Sequence, residues 1–142
     1  MRATAIILLG VVEVAAAQGV VIARATPGAV VEALKGELLP QGFQLVHADE
    51  KGALFALDRG MVQQQGTSGP TGGSLVHIVL EFGVRFKQKQ EGLQVTAREE
   101  VVGNPRSRLQ FRKPVESQAE LKNMQQLLDS IRNSLEARHD ST

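Results

Sequence analysis

The chain has 142 residues, of which 42% are hydrophobic, and this content is sufficient for one domain with a single core. Its 16 Lys and Arg residues nearly balance its 15 Asp and Glu residues, so the net charge is +1 and we expect no nucleic-acid partner. Cysteine is absent, which excludes disulfides, thiol nucleophiles and thiolate metal sites. Aromatic residues make up only 4%, so a base-stacking surface is not expected.

The N-terminus has the layout of a secretory signal peptide. Arg2 precedes an apolar run at residues 3–12, and Ala15, Ala16 and Ala17 follow it. Small residues at this place are typical of a cleavage site, here between Ala17 and Gln18. The apolar run is shorter than the roughly 20 residues that span a bilayer, so we expect no stable membrane span. The pattern predicts a signal peptide at 1–17 and an exported, periplasmic or secreted domain at 18–142; a buried N-terminal strand or helix is the alternative.

The first half of this domain predicts a strand, a helix and a hairpin. Residues 19–26 are rich in β-branched residues, as in a strand. Thr26 and Pro27 are a typical N-cap and first residue of a helix. The helix has an apolar stripe that ends before Pro40 and Gly42, formed by Val30, Val31, Leu34 and Leu38.

Two short apolar runs follow the helix. Residues 43–48 and 53–58 predict a β-hairpin with a tight connection between its strands. From about residue 60 to residue 74 the chain is rich in Gln, Gly, Ser and Thr. Such a segment has too few apolar side chains to offset the entropy of ordering it, so it predicts a flexible loop.

The strongest pattern lies at residues 76–86. Every even position there is apolar, which predicts a strand with one buried face. Residues 93–102 form the next predicted strand, after a turn at 88–92. A pairing of Phe86 with Leu93 would place Glu81 opposite Arg98 as a favourable cross-strand charge pair.

The same register has a consequence for Glu99. It would point this carboxylate towards the apolar face, opposite Leu80. A β-bulge at Glu99 and Glu100 would turn the side chain outwards, and we favour the bulge over a buried carboxylate. Residues 107–112 predict one further strand, with Leu109 and Phe111 facing inwards.

The C-terminal segment predicts a long amphipathic helix. Ser117 and Glu120 form a capping box at its start. Apolar residues then recur at steps of three and four: Leu121, Met124, Leu127, Leu128, Ile131 and Leu135. We expect this stripe to pack on the chain's own sheet, so the protein is expected to be a monomer; a coiled-coil dimer is the alternative.

Together these elements predict an α+β fold. The expected order is β-α-β-β-loop-β-β-β-α, with a meandering antiparallel sheet of about five or six strands. Both helices are expected to pack on one face of the sheet, which leaves the other face wet.

Few residues suggest chemistry. The histidines His47, His77 and His139 lack metal-ligand spacing. The glycine-rich segment at 66–74 lacks the G-K-[ST] ending of a phosphate-binding loop. We therefore predict no catalytic, cofactor-binding or metal-binding residue, and a protein that is not an enzyme.

The sequence thus predicts an exported, non-enzymatic domain that acts through an unknown protein partner. The expected partner surface is the wet face of the sheet, with Glu81, Arg85, Arg98 and Glu100. Alternatively, the order of elements resembles that of helix-grip, START-like domains, without a shared residue motif. This resemblance implies the binding of a small apolar ligand between the sheet and the C-terminal helix.

Overall fold

The computed structural model describes residues 18–63 and 75–140. In chain order the elements are β1 (Gln18–Ile22), α1 (Pro27–Leu38), a 3-10 turn (Leu39–Gln41), β2 (Gln44–Ala48), β3 (Gly52–Gln63), β4 (Leu75–Gln88), β5 (Leu93–Gly103), β6 (Phe111–Pro114) and α2 (Gln118–Asp140). The predicted α+β fold with an antiparallel sheet and two helices is confirmed. The predicted signal peptide at 1–17 and residues 64–74 of the predicted loop lie outside the described residues, whereas residues 60–63 belong to β3.

In the described part of the chain the sheet has six strands, five of them in the order β1-β5-β4-β3-β2. Every pairing is antiparallel. β1 pairs with residues 93–97 of β5, and β6 pairs with residues 100–103 of the same strand. Since β4 occupies the other side of β5, β1 and β6 lie end to end along one edge. α1 connects β1 at that side to β2 at the opposite edge.

Both helices contribute to one hydrophobic core against a single face of the sheet. The predicted apolar stripes are buried there, and the buried residues of the stripes are Val30, Val31, Leu34, Leu38, Met124, Leu128, Ile131 and Leu135. They pack against Phe82 and Val84 of β4 and against Val95 and Ala97 of β5. The apolar stripe of α2 therefore packs on the chain's own sheet, as predicted.

Local signals position both helices as predicted. The Thr26 hydroxyl accepts a hydrogen bond from the Ala29 amide at 3.2 Å, and the Ser117 hydroxyl accepts one from the Glu120 amide at 3.2 Å. Further along α2, the Glu136 carboxylate accepts a hydrogen bond from the Ala23 amide at 3.0 Å. These contacts cap the starts of the helices and fix α2 beside β1.

The register of β4 with β5 differs by two residues from the predicted one. Phe86 lies opposite Val95, not Leu93, and Glu81 lies opposite Glu100, not Arg98. The physical reason is a tighter turn, in which Lys89 and Gly92 exchange backbone hydrogen bonds of 2.8 and 3.2 Å. A shift of two residues leaves each side chain on its predicted face, because strand side chains alternate with a period of two.

The predicted strand at 107–112 is also wrong in its first part. Residues 107–110 lie in turns, and β6 begins at Phe111. Asn104 and Arg106 adopt positive φ angles of 51° and 62°, which interrupt an extended chain. Leu109 is consequently 76% exposed rather than directed inwards.

Candidate functional site

Within residues 18–63 and 75–140, no helix covers one face of the sheet, because both described helices pack on the other; we call this uncovered face the open face. Glu81, Gly83 and Arg85 of β4 alternate onto this open face, and Arg98 and Glu100 of β5 join them there. Gly83 lies opposite Arg98, and Glu81 lies opposite Glu100. The structure therefore brings together all four residues of the predicted partner surface.

These residues surround a shallow depression of about 190 Å³. It is lined by Leu54, Gly83, Val84 and Thr96, together with Glu81, Arg85, Arg98 and Glu100. The depression exists in part because Gly83 lacks a side chain, and a Cβ atom there would lie 3.8 Å from the Leu54 Cδ1 atom. The site thus combines an apolar floor with charged walls.

The acidic end of the depression is held by Arg112 of β6. Its Nη1 atom lies 2.8 Å from the Glu81 carboxylate and 3.1 Å from the Glu100 carboxylate. The actual register places these like charges opposite each other, and Arg112 compensates both. The hydrogen bond to Glu81, reinforced by Glu100, raises the pKa of Arg112. This arrangement replaces the predicted pair of Glu81 with Arg98.

The basic end of the depression has no such compensation. The side chains of Arg85 and Arg98 are exposed and make no ion pair with any described residue. Guanidinium groups present a planar fork of donors that matches carboxylates. This end of the open face can therefore receive an anionic group from another molecule.

A second cavity lies between the sheet and the helices, with a volume of about 520 Å³. Its apolar lining comes from Leu38, Phe43, Phe82, Met124 and Leu127. Its polar lining comes from Glu37, Gln41, Glu99, Glu120, Asn123, Gln126 and Ser130. We call this cavity the helix cleft, and it lies where the resemblance to START-like domains implies a ligand.

Glu99 points towards the helix cleft, and the predicted bulge is wrong. The pairing of β4 with β5 continues without a shift past Glu99, which lies opposite Phe82 on the helix side of the sheet. Partial burial raises the pKa of Glu99, and the nearby carboxylate of Glu120 raises it further. The cleft admits a carboxylate that a closed core would exclude.

Two of the histidines lie beside carboxylates. His77 Nε2 lies 2.8 Å from an oxygen of Asp58, and His47 Nε2 lies 3.3 Å from an oxygen of Asp49. A hydrogen bond from the Gly60 amide, followed by that of His77, lowers the pKa of Asp58. The described residues contain no group of three or more His, Cys, Asp or Glu that could hold a metal ion.

Comparison with known proteins assigns no family, since no family model and no curated protein matches the chain. In the part of the chain that the structure describes, none of the helices has the length and apolar character needed to cross a membrane. Reasoning from sequence missed the role of Arg112 and the polar lining of the helix cleft. Only the basic character of residues 106–113 hinted at Arg112.

Replacement of Arg112 tests the charge arrangement on the open face. Arg112→Gln would leave two half-buried carboxylates facing each other, so we expect a loss of about 1 kcal/mol in the free energy of unfolding. Urea denaturation at low salt measures it. Adding Glu81→Gln to Arg112→Gln should recover most of the loss, and Arg108→Gln is the matched control. A loss that persists in the double variant would contradict the repulsion.

Replacement of Glu99 tests its position in the cleft. A raised pKa in the folded state means that the Glu99 carboxylate weakens the fold above its folded pKa, and that this penalty disappears as the pH falls towards the ordinary value of 4.5. Glu99→Gln should therefore raise the unfolding midpoint at pH 7, with no gain below pH 4. Thermal denaturation across this range measures the difference. A gain equal at both pH values, or the same gain in the exposed control Glu91→Gln, would contradict the assignment.

Proposed function

We propose that this protein is an exported, non-enzymatic domain that binds a protein partner through the open face of its sheet. The observation that carries the proposal is the depression at Gly83, whose basic end, Arg85 and Arg98, has no ion pair with the described residues. The export part of the proposal rests on the sequence pattern of residues 1–17.

The chemistry of the open face favours a protein partner with acidic side chains. Arginine is enriched in interfaces, where its fork can hold a carboxylate while its stem packs on apolar groups. Leu54 and Gly83 provide an apolar floor between the charged residues. An acidic side chain beside a small apolar one would therefore fit both the walls and the floor of the depression.

The helix cleft supports a second candidate function, the binding of a small ligand. Its volume of about 520 Å³ lies within the range of small-molecule sites, which is about 300–1,000 Å³. Its lining is mixed, however, with the Glu99 carboxylate beside Phe82 and Met124. The cleft therefore suits an amphipathic ligand better than the purely apolar ligand expected from the sequence.

Crosslinking in the cells of origin tests the proposal. The full chain would be expressed there with a photocrosslinking residue in place of Thr96, which lines the depression. We expect one protein partner to be crosslinked, with recovery reduced about tenfold or more by Arg85→Gln with Arg98→Gln. Gly83→Val, which fills the depression, should have the same effect. Mass spectrometry of the recovered chain should show a terminus at Gln18.

The control variant carries Lys122→Gln with Arg108→Gln, which removes the same charge from exposed sites on α2 and in the turn before β6. It should keep the crosslink. A partner retained by the Arg85 and Arg98 variant would contradict the proposed surface. A bound small molecule that is lost when Met124 is replaced would favour the cleft instead, and a chain that still begins at Met1 would contradict export.

A further inference from the structure

The helix side of the sheet continues beyond the start of α2. Glu120, in the first turn of that helix, lies beside Glu99. Further along the same face come the paired positions Leu80 with Val101 and Val62 with Val76. Leu80 still packs against the core beneath the helices, whereas Val62, Val76 and Val101 lie outside it.

A pocket of about 320 Å³ occupies this part of the sheet. We call it the end pocket, and its lining includes Val62, Val76, Ile78, Val101, Phe111 and Val115. Val76 is 5% exposed, yet it does not belong to the hydrophobic core beneath the helices. The end pocket is thus a separate apolar site, distinct from both the helix cleft and the open face.

The wall of the end pocket depends on a close approach of an aromatic ring to the backbone. A Cβ atom at Gly103 would lie 2.1 Å from atoms of the Phe111 ring, so the ring occupies the space of the missing side chain. The pairing of β6 with β5 places Phe111 opposite Gly103 and Lys113 opposite Val101. Phe111 and Lys113 consequently lie on the same face of β6, and both line the pocket.

Lys113 is the charged member of this lining. Its side chain is exposed and makes no ion pair with any residue in the described part of the chain. Arg106 and Arg108, in the turns that lead to β6, likewise make no ion pair within residues 18–63 and 75–140. Glu116 follows Val115 in the chain but does not line the pocket. Lys113 is therefore the charged side chain among the residues that line the pocket.

We propose that the end pocket binds a single-chain anionic amphiphile, a free fatty acid, with its alkyl chain against the apolar wall and its carboxylate paired with Lys113. The volume of about 320 Å³ is at the lower end of small-molecule sites and suits one alkyl chain rather than two. Burial of the chain supplies affinity in proportion to its length, and the ammonium selects the anionic head. This proposal does not depend on the partner proposed for the open face.

Titration with decanoate, below its micelle-forming concentration, tests the proposal by amide chemical shifts of the full chain. We expect shifts concentrated at Ile78, Val101 and Phe111. Lys113→Gln should weaken binding about tenfold, since it removes a charge-assisted hydrogen bond. Lys87→Gln, a matched lysine of β4 outside the pocket, should bind decanoate like the unaltered chain. Each methylene removed from the acid should weaken binding several-fold.

A neutral ligand and phospholipid vesicles distinguish binding of a free fatty acid at the end pocket from binding of an uncharged chain or of a membrane surface. 1-Decanol should bind the unaltered chain about as weakly as decanoate binds the Lys113→Gln variant. Equal affinity for decanol and decanoate, or shifts centred on Phe43 and Met124 of the helix cleft, would overturn the proposal. Binding to vesicles of anionic phospholipid without binding of monomeric decanoate would also overturn it. An absence of chemical-shift changes on addition of decanoate would do the same.

Discussion

The pairing of β4 with β5 determines which side chains the helices cover and which remain on the open face. It places Phe82, Val84 and Ala97 under α1 and α2, where they form the centre of the core. The same alternation directs Glu81 and Arg98 to the opposite face. A slip by one residue would exchange the two sets, burying charges and exposing the core. The hydrophobic effect therefore permits only registers that differ by an even number of residues.

The choice between registers two residues apart has a different cause. Both registers keep each side chain on its face, so the alternation of apolar residues does not distinguish them, and the turn does. The exchange of hydrogen bonds between Lys89 and Gly92 sets a two-residue turn. Gly92, with a φ of 152°, approaches the Ile22 carbonyl so closely that a Cβ atom would lie 2.4 Å from it. The resulting register brings Glu81 opposite Glu100 and leaves Arg98 without an acidic partner across the strand pair.

Much of the fold could be predicted from local patterns. Alternation at residues 76–86 and the caps at Thr26 and Ser117 are each encoded within a few neighbouring residues. The register and the position of Leu109 could not be predicted in this way, because turn geometry and positive φ angles at Asn104 and Arg106 decide them. Asparagine is enriched at positive φ angles, as at Asn104, but nothing in the local sequence indicates a positive φ at Arg106.

The carboxylate in the helix cleft could not be predicted from local patterns. Glu99 was expected to turn outwards because a buried carboxylate is unfavourable, but that rule assumes a closed core. Whether Glu99 is covered depends on where Glu120 and the start of α2 lie along the sheet. That position is set by contacts between residues far apart in the sequence. The four residues of the open face, in contrast, could be predicted from alternation alone. A register error of two residues leaves each side chain on the same face of the sheet.

The arrangement of the open face depends on the register of β4 with β5, and the absence of native cysteine makes this register simple to measure. Glu81→Cys with Glu100→Cys places two thiols at directly opposed positions, whereas Glu81→Cys with Arg98→Cys places them on a diagonal. Disulfides need Cα atoms about 4.4–6.8 Å apart, a distance that opposed positions meet and diagonal ones of about 7–8 Å exceed. Under mild oxidation, we expect rapid disulfide formation in the folded first variant and free thiols in the second. The reverse result would contradict the register, and with it the arrangement of charges on the open face.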